Sequence, residues 1–251
     1  MFINNFDPIA INFFSLEIRW YSLAYIFGII FGWIYCKKLI KNTNLKYLFD
    51  NYVTYLIVGI IIGGRLGYII FYNPFYYIEN PIDIFMIWTG GMSFHGALIG
   101  IVITSYFFSK NNNQQIFFFL DLVAISSPIG IFFGRLANFI NGELIGKITN
   151  VNWGVIFPLV DNFPRHPSQL YEAFLEGILL FILMNIIYFR KNYKIGDCSI
   201  MFLIFYGLLR IISEIFREPD VQIGYLFGSI SMGMLLSAIM ICSGTFLYFK
   251  K

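Results

Sequence analysis

Seven stretches of predominantly apolar residues, at roughly 20–39, 52–73, 92–109, 117–136, 169–189, 198–217 and 224–248, dominate this chain. Each is close to the 20 or so residues that an α-helix needs to cross about 30 Å of hydrocarbon. No other feature limits the fold as strongly, because a chain inside lipid must satisfy its backbone hydrogen bonds internally. The segments between the runs are short. The longest, about 137–168, is polar, carries Gly and Pro, and is too small for a separate soluble domain. The expectation is an all-α integral membrane protein with seven transmembrane helices, forming one polytopic domain over residues 1–251 in a lipid bilayer. Composition agrees: 12% of residues are charged, against about a quarter in a soluble domain, and 58% are hydrophobic. A disordered chain, a secreted scaffold and a nucleic-acid binder are all disfavoured, and a net charge of +3 is too small to mark a polyanionic partner. Cys36, Cys198 and Cys242 sit in or beside apolar runs without metal-ligand spacing, so neither a disulfide framework nor a metal site is expected.

The basic residues set the orientation. Lys37, Lys38, Lys41, Lys46, Lys110, Arg190, Lys191, Lys194, Lys250 and Lys251 fall on one side, and Arg19, Lys147, Arg165 and Arg217 on the other. The positive-inside rule assigns the richer side to the cytoplasm, which leaves the N-terminus outside and the C-terminus cytoplasmic, as an odd number of spans requires. The first run does not read as a cleavable signal peptide: no basic segment precedes it, no A-x-A-like site follows, and Lys37 and Lys38 come directly after it.

Arg65, Arg135 and Arg210 remain inside apolar runs. At a helix centre each would cost about 2.5 to 3.5 kcal/mol on insertion scales, so function is the default reason for keeping them. The plainer reading is that they snorkel or pair with a carboxylate, which suits Arg65 best because it follows Gly63 and Gly64 near a helix end. In the sixth run Tyr206, Arg210, Glu214 and Arg217 stack on one helix face at i, i+4, i+8 and i+11. A pair of Arg210 with Glu214 would be structural, yet two arginines against one glutamate leave a positive surplus, which points to an anion. The fourth run closes with GRLANFINGE over 134–143: Arg135 and Asn138 share a face, Asn141-Gly142 should stop the helix, and Glu143 lies on an outer loop. His95 follows the flexible approach GGMSF over 90–94. The fifth run is entered through RHPSQLYE over 165–172, with Ser168 a candidate N-cap and Glu172 four residues on.

Given that orientation, Arg65, Arg135 and Arg210 come late in outward-running helices and Tyr21 and His95 early in inward-running ones, while Asn138, Glu143, Arg165 and Arg217 lie in or beside outer loops. All fall toward one side, so a single polar, cationic cavity opening to the outer leaflet is expected. Guanidinium forks there suit a phosphate.

These residues sit in motifs that resemble the bacterial prolipoprotein diacylglyceryl transferases. In that family's order they are Arg19-Trp20-Tyr21, GGRLGY over 63–68, GGMSFHGALIG over 90–100, GRLANFINGELIG over 134–146, RHPSQLYE over 165–172 and YGLLRIISEIFREPD over 206–220. Together they span nearly the whole chain. Ala97 and Ala137 depart from the family's usual Gly, and Lys147 from its usual Arg, which keeps the charge and loses the bidentate fork. The resemblance implies that the diacylglyceryl group of phosphatidylglycerol is transferred to the lipobox cysteine of a prolipoprotein signal peptide. A thioether forms and glycerol 1-phosphate is released, at the outer face of a bacterial inner membrane. No metal and no cofactor is implied. The resemblance gives Arg135 and Arg210 as phosphate clamps, His95 as candidate general base or lipid-orienting residue, Asn138 and Glu143 as organisers, and Tyr21 and Tyr206 as hydroxyl partners. Glu214, Arg65 and Arg165 complete the expected substrate-binding set.

Other classes explain less. A lipid-binding or lipid-translocating protein would need a polar path to both faces, whereas the inner halves of these helices carry little charge apart from Asp121. An intramembrane serine protease built on Ser93 leaves the arginines unexplained, and Ser93 and His95, two apart on a helix, diverge by about 200°. A seven-helix receptor rests on span count alone.

Overall fold

The computed structural model describes residues 2–13, 16–86, 90–219, 224–226 and 228–251. Asp220, the last residue of the sixth motif, and Phe227, in the expected seventh span, lie outside them. Helices form over the apolar runs: α1 (Trp20–Leu39), α2 (Thr43–Tyr72), α3 (Pro74–Glu79), α4 (Phe94–Asn111) and α5 (Ile116–Asn141). There follow α6 (Ser168–Glu172), a π-helical stretch (Ala173–Leu179), α7 (Leu180–Phe189), α8 (Asp197–Glu214) and α9 (Met232–Lys250). Short strands supplement the all-α expectation: β1 (Phe2–Ile3), β2 (Ile9–Phe13), β3 (Leu16–Arg19), β4 (Val155–Ile156), β5 (Pro164–Arg165), β6 (Tyr225–Leu226) and β7 (Ile230–Ser231).

Against the seven expected spans, five helical stretches among the described residues are long and apolar enough to cross a membrane: Trp20–Leu39, Thr43–Ile70, Ile116–Asn141, Ser168–Phe189 and Met232–Lys250. The other two runs form α4 and α8, of 18 residues each, and α8 carries Asp197, Arg210 and Glu214. Rows of exposed apolar side chains, such as Tyr25, Ile26 and Phe31 on α1 or Ile62, Leu66 and Ile70 on α2, suit a hydrocarbon surround.

Three boundaries differ from the sequence reading, each for a local reason. Helix α2 starts well before its apolar run because the Asn42 side chain accepts from the amides of Asn44 and Leu45, so a polar first turn is capped. The seventh run yields its first residues to a hairpin, β6 against β7, and α9 starts at Met232 with Ser231 accepting from the Met234 amide. Ser168 is the first residue of α6, not its cap; its hydroxyl instead donates to the Leu144 carbonyl at 3.0 Å.

The chain forms two compact units, residues 1–36 with 121–251, and residues 37–120. In the second unit α2 packs on α4 at backbone contact: a Cβ on Gly63 would stand 2.4 Å from the Gly96 carbonyl oxygen, and one on Gly100 2.1 Å from that of Gly59. Only glycine permits so close a helix pair, the usual interface chemistry inside lipid. In the first unit, α8 packs on α9 and on α7, and the β2–β3 hairpin runs straight into α1. Asp121 is buried and accepts from Tyr193 Oη at 2.6 Å, Gly196 N at 2.6 Å, Ser199 N at 2.7 Å and Ser199 Oγ at 2.8 Å. It fastens the 193–199 turn to α5.

Candidate functional site

The composite helix α6–π–α7 supplies two carboxylates that face α5 and α8. Gly177 makes this possible: a Cβ there would lie 2.7 Å from Phe132 Cβ, so the π stretch rests directly on α5, on the face that also carries Arg135 three residues later. Arg135 Nη1 then lies 2.9 Å from Glu172 Oε2 and its Nη2 2.9 Å from Glu176 Oε2. From α8, Arg210 Nη1 lies 2.9 Å from Glu172 Oε1 and 3.2 Å from Glu176 Oε1, and its Nη2 2.6 Å from Glu214 Oε2. Both Glu172 and Glu176 thus bridge the two arginines, one oxygen to each. Arg217 Nη1 stands 3.7 Å from Glu172 Oε1, Ser213 donates to Glu176 Oε1 at 3.0 Å, and Ser231 to Glu214 Oε1 at 3.1 Å.

This corrects the expected positive surplus. Arg135, Arg210 and Arg217 face Glu172, Glu176 and Glu214, a balanced set, and the Glu172 and Glu176 side chains are fully buried. The i, i+4 spacing correctly paired Arg210 with Glu214. It could not see partners some 35 residues away in sequence. A signal for them was present: a carboxylate in hydrocarbon is as costly as a guanidinium, so Glu172 and Glu176 in LYEAFLEGILL merited the same question as the arginines. Left alone, two like charges at i, i+4 repel; two guanidiniums between them remove the cost.

Asn138 and Glu143 come together at the end of α5, which stops at Asn141 as expected. Asn138 Nδ2 donates to Glu143 Oε2 and Asn141 Nδ2 to Glu143 Oε1, each at 3.3 Å. Leu144 takes φ +53°, a left-handed conformation that side chains disfavour, and Ser168 and Gln169 hold it there through the carbonyls of Leu144 and Glu143. Tyr206 is buried and stacks on Phe202 at 5.5 Å. Tyr21 accepts from Tyr25 Oη at 3.3 Å.

Arg165 is not brought to this cluster. It is buried, with Nε 3.0 Å from Asp161 Oδ2, and Nη1 3.0 Å from the Gly146 carbonyl and 3.3 Å from Glu218 Oε2. Its guanidinium holds the Asp161 carboxyl below the ordinary carboxylate value. Its donors tie β5 to the strip around Gly146. Lys147 Nζ donates to the Ile215 carbonyl at 2.8 Å beyond the end of α8, a single-donor task that lysine fills without a fork. His166 hydrogen-bonds Tyr171 Oη at 3.2 Å, and burial followed by the Lys147 charge pushes its pKa down.

In the second unit, Arg65 is 4% exposed and lies within a cage of main-chain carbonyls. Nε donates to Ile84 at 2.9 Å, Nη1 to Gly90 and to Gly91 at 3.2 Å, and Nη2 to Asp83 and to Met86 at 3.1 Å, with the Tyr77 ring 5.1 Å away. All five guanidinium protons are used in holding the described residues that lead into α4. His95 is the second residue of α4, half-buried, beneath the cap formed by Ser93 Oγ accepting from the Gly96 amide at 3.2 Å.

The family model described as prolipoprotein diacylglyceryl transferase matches residues 8–250. A phosphatidylglycerol–prolipoprotein diacylglyceryl transferase of Rickettsia bellii is 50% identical over 251 residues, covering 98% of this chain and 95% of its own. Its counterparts in Rickettsia typhi and Rickettsia felis are 48% and 47% identical, covering 98% and 97% of this chain and 97% and 96% of theirs.

Proposed function

Because the chain belongs to the prolipoprotein diacylglyceryl transferase family, we propose that it transfers the diacylglyceryl group of phosphatidylglycerol to the lipobox cysteine of a prolipoprotein. The observation that carries this reading is the pair Arg135 and Arg210, held side by side and already arranged to share two-oxygen anions. The phosphate of the lipid is bound between these forks, where the donors that hold it also stabilise the departing phosphate. The cysteine thiolate attacks the glyceryl carbon, a C–S bond forms, and the bond from that carbon to the phosphate ester oxygen breaks, its electron pair staying on that oxygen. Glycerol 1-phosphate leaves.

His95 takes the thiol proton in this scheme. From an unperturbed thiol near pKa 8.5 to a histidine near 6.5 the transfer is uphill by about 2.7 kcal/mol, so nearby cations that favour thiolate contribute as much as the base. Asn138 and Glu143 organise the headgroup region, Tyr206 and Tyr21 supply hydroxyls, and Glu214 steadies Arg210.

The membrane arrangement we propose has α4 and α8 crossing with the five apolar stretches, for seven spans, N-terminus outside and C-terminus cytoplasmic, in a bacterial inner membrane with the reaction at its outer face. Burial of Asp197, Arg210 and Glu214 supports this for α8, since its charges are turned away from lipid. Incubating the purified protein with phosphatidylglycerol and a lipobox peptide tests the activity: thioether product is expected, and lipid movement without it would favour a lipid carrier. A His95→Gln variant with near-wild-type turnover would remove His95 as the base.

A further inference from the structure

Two buried carboxylates in the cluster, Glu172 and Glu176, have no task in the reaction as written. Glu176 places Oε2 on Arg135 and Oε1 on Arg210, at 2.9 and 3.2 Å, so a single two-oxygen anion joins the inner donors of both forks. A phosphodiester also presents two anionic oxygens and asks for the same donors. Both cannot hold them at full strength.

We propose that Glu176 is a built-in competitor for the lipid phosphate: its carboxylate keeps the position between Arg135 and Arg210, yields it when the headgroup binds, and reclaims it to expel glycerol 1-phosphate. The proposal rests on the phosphate-clamp reading of those arginines. Among the three carboxylates, Glu176 is the one placed to move. Glu172 contacts Arg135 and Arg210 and lies near Arg217, and Glu214 is wedged against Gly233, where a Cβ would stand 2.8 Å from its carboxyl. Glu176 lies within the π-helical stretch Ala173–Leu179, a backbone form that is rare and recurs at functional sites, and its remaining partner, the Ser213 hydroxyl, has a second acceptor at 3.0 Å in the Arg210 carbonyl. Release therefore strands no buried donor on Ser213. The apparent affinity for an anion scales with the fraction of molecules whose forks are free, so the strength of the Glu176 contact sets that affinity.

Glu176→Gln keeps the shape and removes the charge. In lipid nanodiscs this variant should bind phosphatidylglycerol about ten-fold more tightly and be inhibited by glycerol 1-phosphate at about ten-fold lower concentration, with kcat and KM both reduced. Unchanged or weakened binding in the folded variant overturns the proposal. If Glu176→Gln does not fold, Glu176→Asp serves: the charge stays, the reach shortens, and binding tightens about two- to five-fold; unchanged or weaker binding again overturns it. Arg135→Gln separates the two levels. Undiminished lipid binding in that variant sinks the clamp reading itself, whereas lost binding there, combined with no tightening in the Glu176 variants, sinks the competitor alone.

Discussion

Arg65 on one side, and Arg135 with Arg210 on the other, are all arginines inside apolar runs, and the structure satisfies them in opposite ways. Among the described residues the acceptors around Arg65 are the main-chain carbonyls of Asp83, Ile84, Met86, Gly90 and Gly91. Around Arg135 and Arg210 the acceptors are side-chain carboxylates, Glu172 and Glu176 from another helix and Glu214 from the helix of Arg210 itself. A carbonyl cage is part of the backbone and cannot be exchanged without undoing the loop. Carboxylates can trade places with another anion. Burial of an arginine therefore says little about function; the kind of acceptor it keeps says more.

The comparison is broken or sharpened by substitution. The largest effect belongs to Arg135→Ala and Arg210→Ala, each expected to lower thioether formation about 100-fold or more, by the size of a lost oxyanion donor. Each also strands buried carboxylates, at about 3–5 kcal/mol, visible as a lower melting midpoint. Next comes Arg65→Ala, which leaves those carbonyls without donors: amide exchange over residues 81–86 and 90–91 should rise and kcat fall while KM for phosphatidylglycerol holds. Arg65→Lys should rescue little, one ammonium replacing a five-proton fork. A KM rising as it does in the Arg135 variant would erase the distinction drawn here. Ser168→Ala, which drops the bond to Leu144, should cost about 1 kcal/mol in thermal denaturation and slightly disorder the Glu143 turn.

Acid provides the smallest and most local test. Asp161 is held below its usual range by hydrogen bonds from Arg165. Its contribution is therefore complete above the unfolded carboxylate value of about 3.9 and fades as pH falls through the lower folded value. Amide exchange over residues 146–165 should accelerate only below about pH 4, and Asp161→Asn should abolish that step. Lys38→Ala should leave turnover where it is.

Much of this was legible in the residues because it depends on period and local chemistry. The apolar runs located the helices, Asn141-Gly142 ended α5, and the i, i+4 spacing paired Arg210 with Glu214. Cross-helix partners were not legible: Glu176 looked like one polar residue in an apolar run until Gly177 let that run rest on Phe132. Nor could the pattern tell Arg65 from Arg135, since the carbonyls that cage Arg65 belong to a loop whose path no periodicity records. The hairpin at Tyr225–Ser231 hid for a related reason, its residues being apolar enough to pass for the start of a helix.

The strip at Ile145–Ile148 has a mechanical consequence. One edge bonds to the chain just past α8, through Lys147 N to the Phe216 carbonyl at 2.9 Å and Glu218 N to the Ile145 carbonyl at 3.0 Å; the other bonds to the residues before α6, through His166 N to the Lys147 carbonyl at 3.0 Å. The ends of α5, α6 and α8 are riveted together by peptide groups that neither titrate nor respond to salt. The elements that carry Arg135 and Arg210 are in this way joined through their backbones, independently of the carboxylates between the two forks.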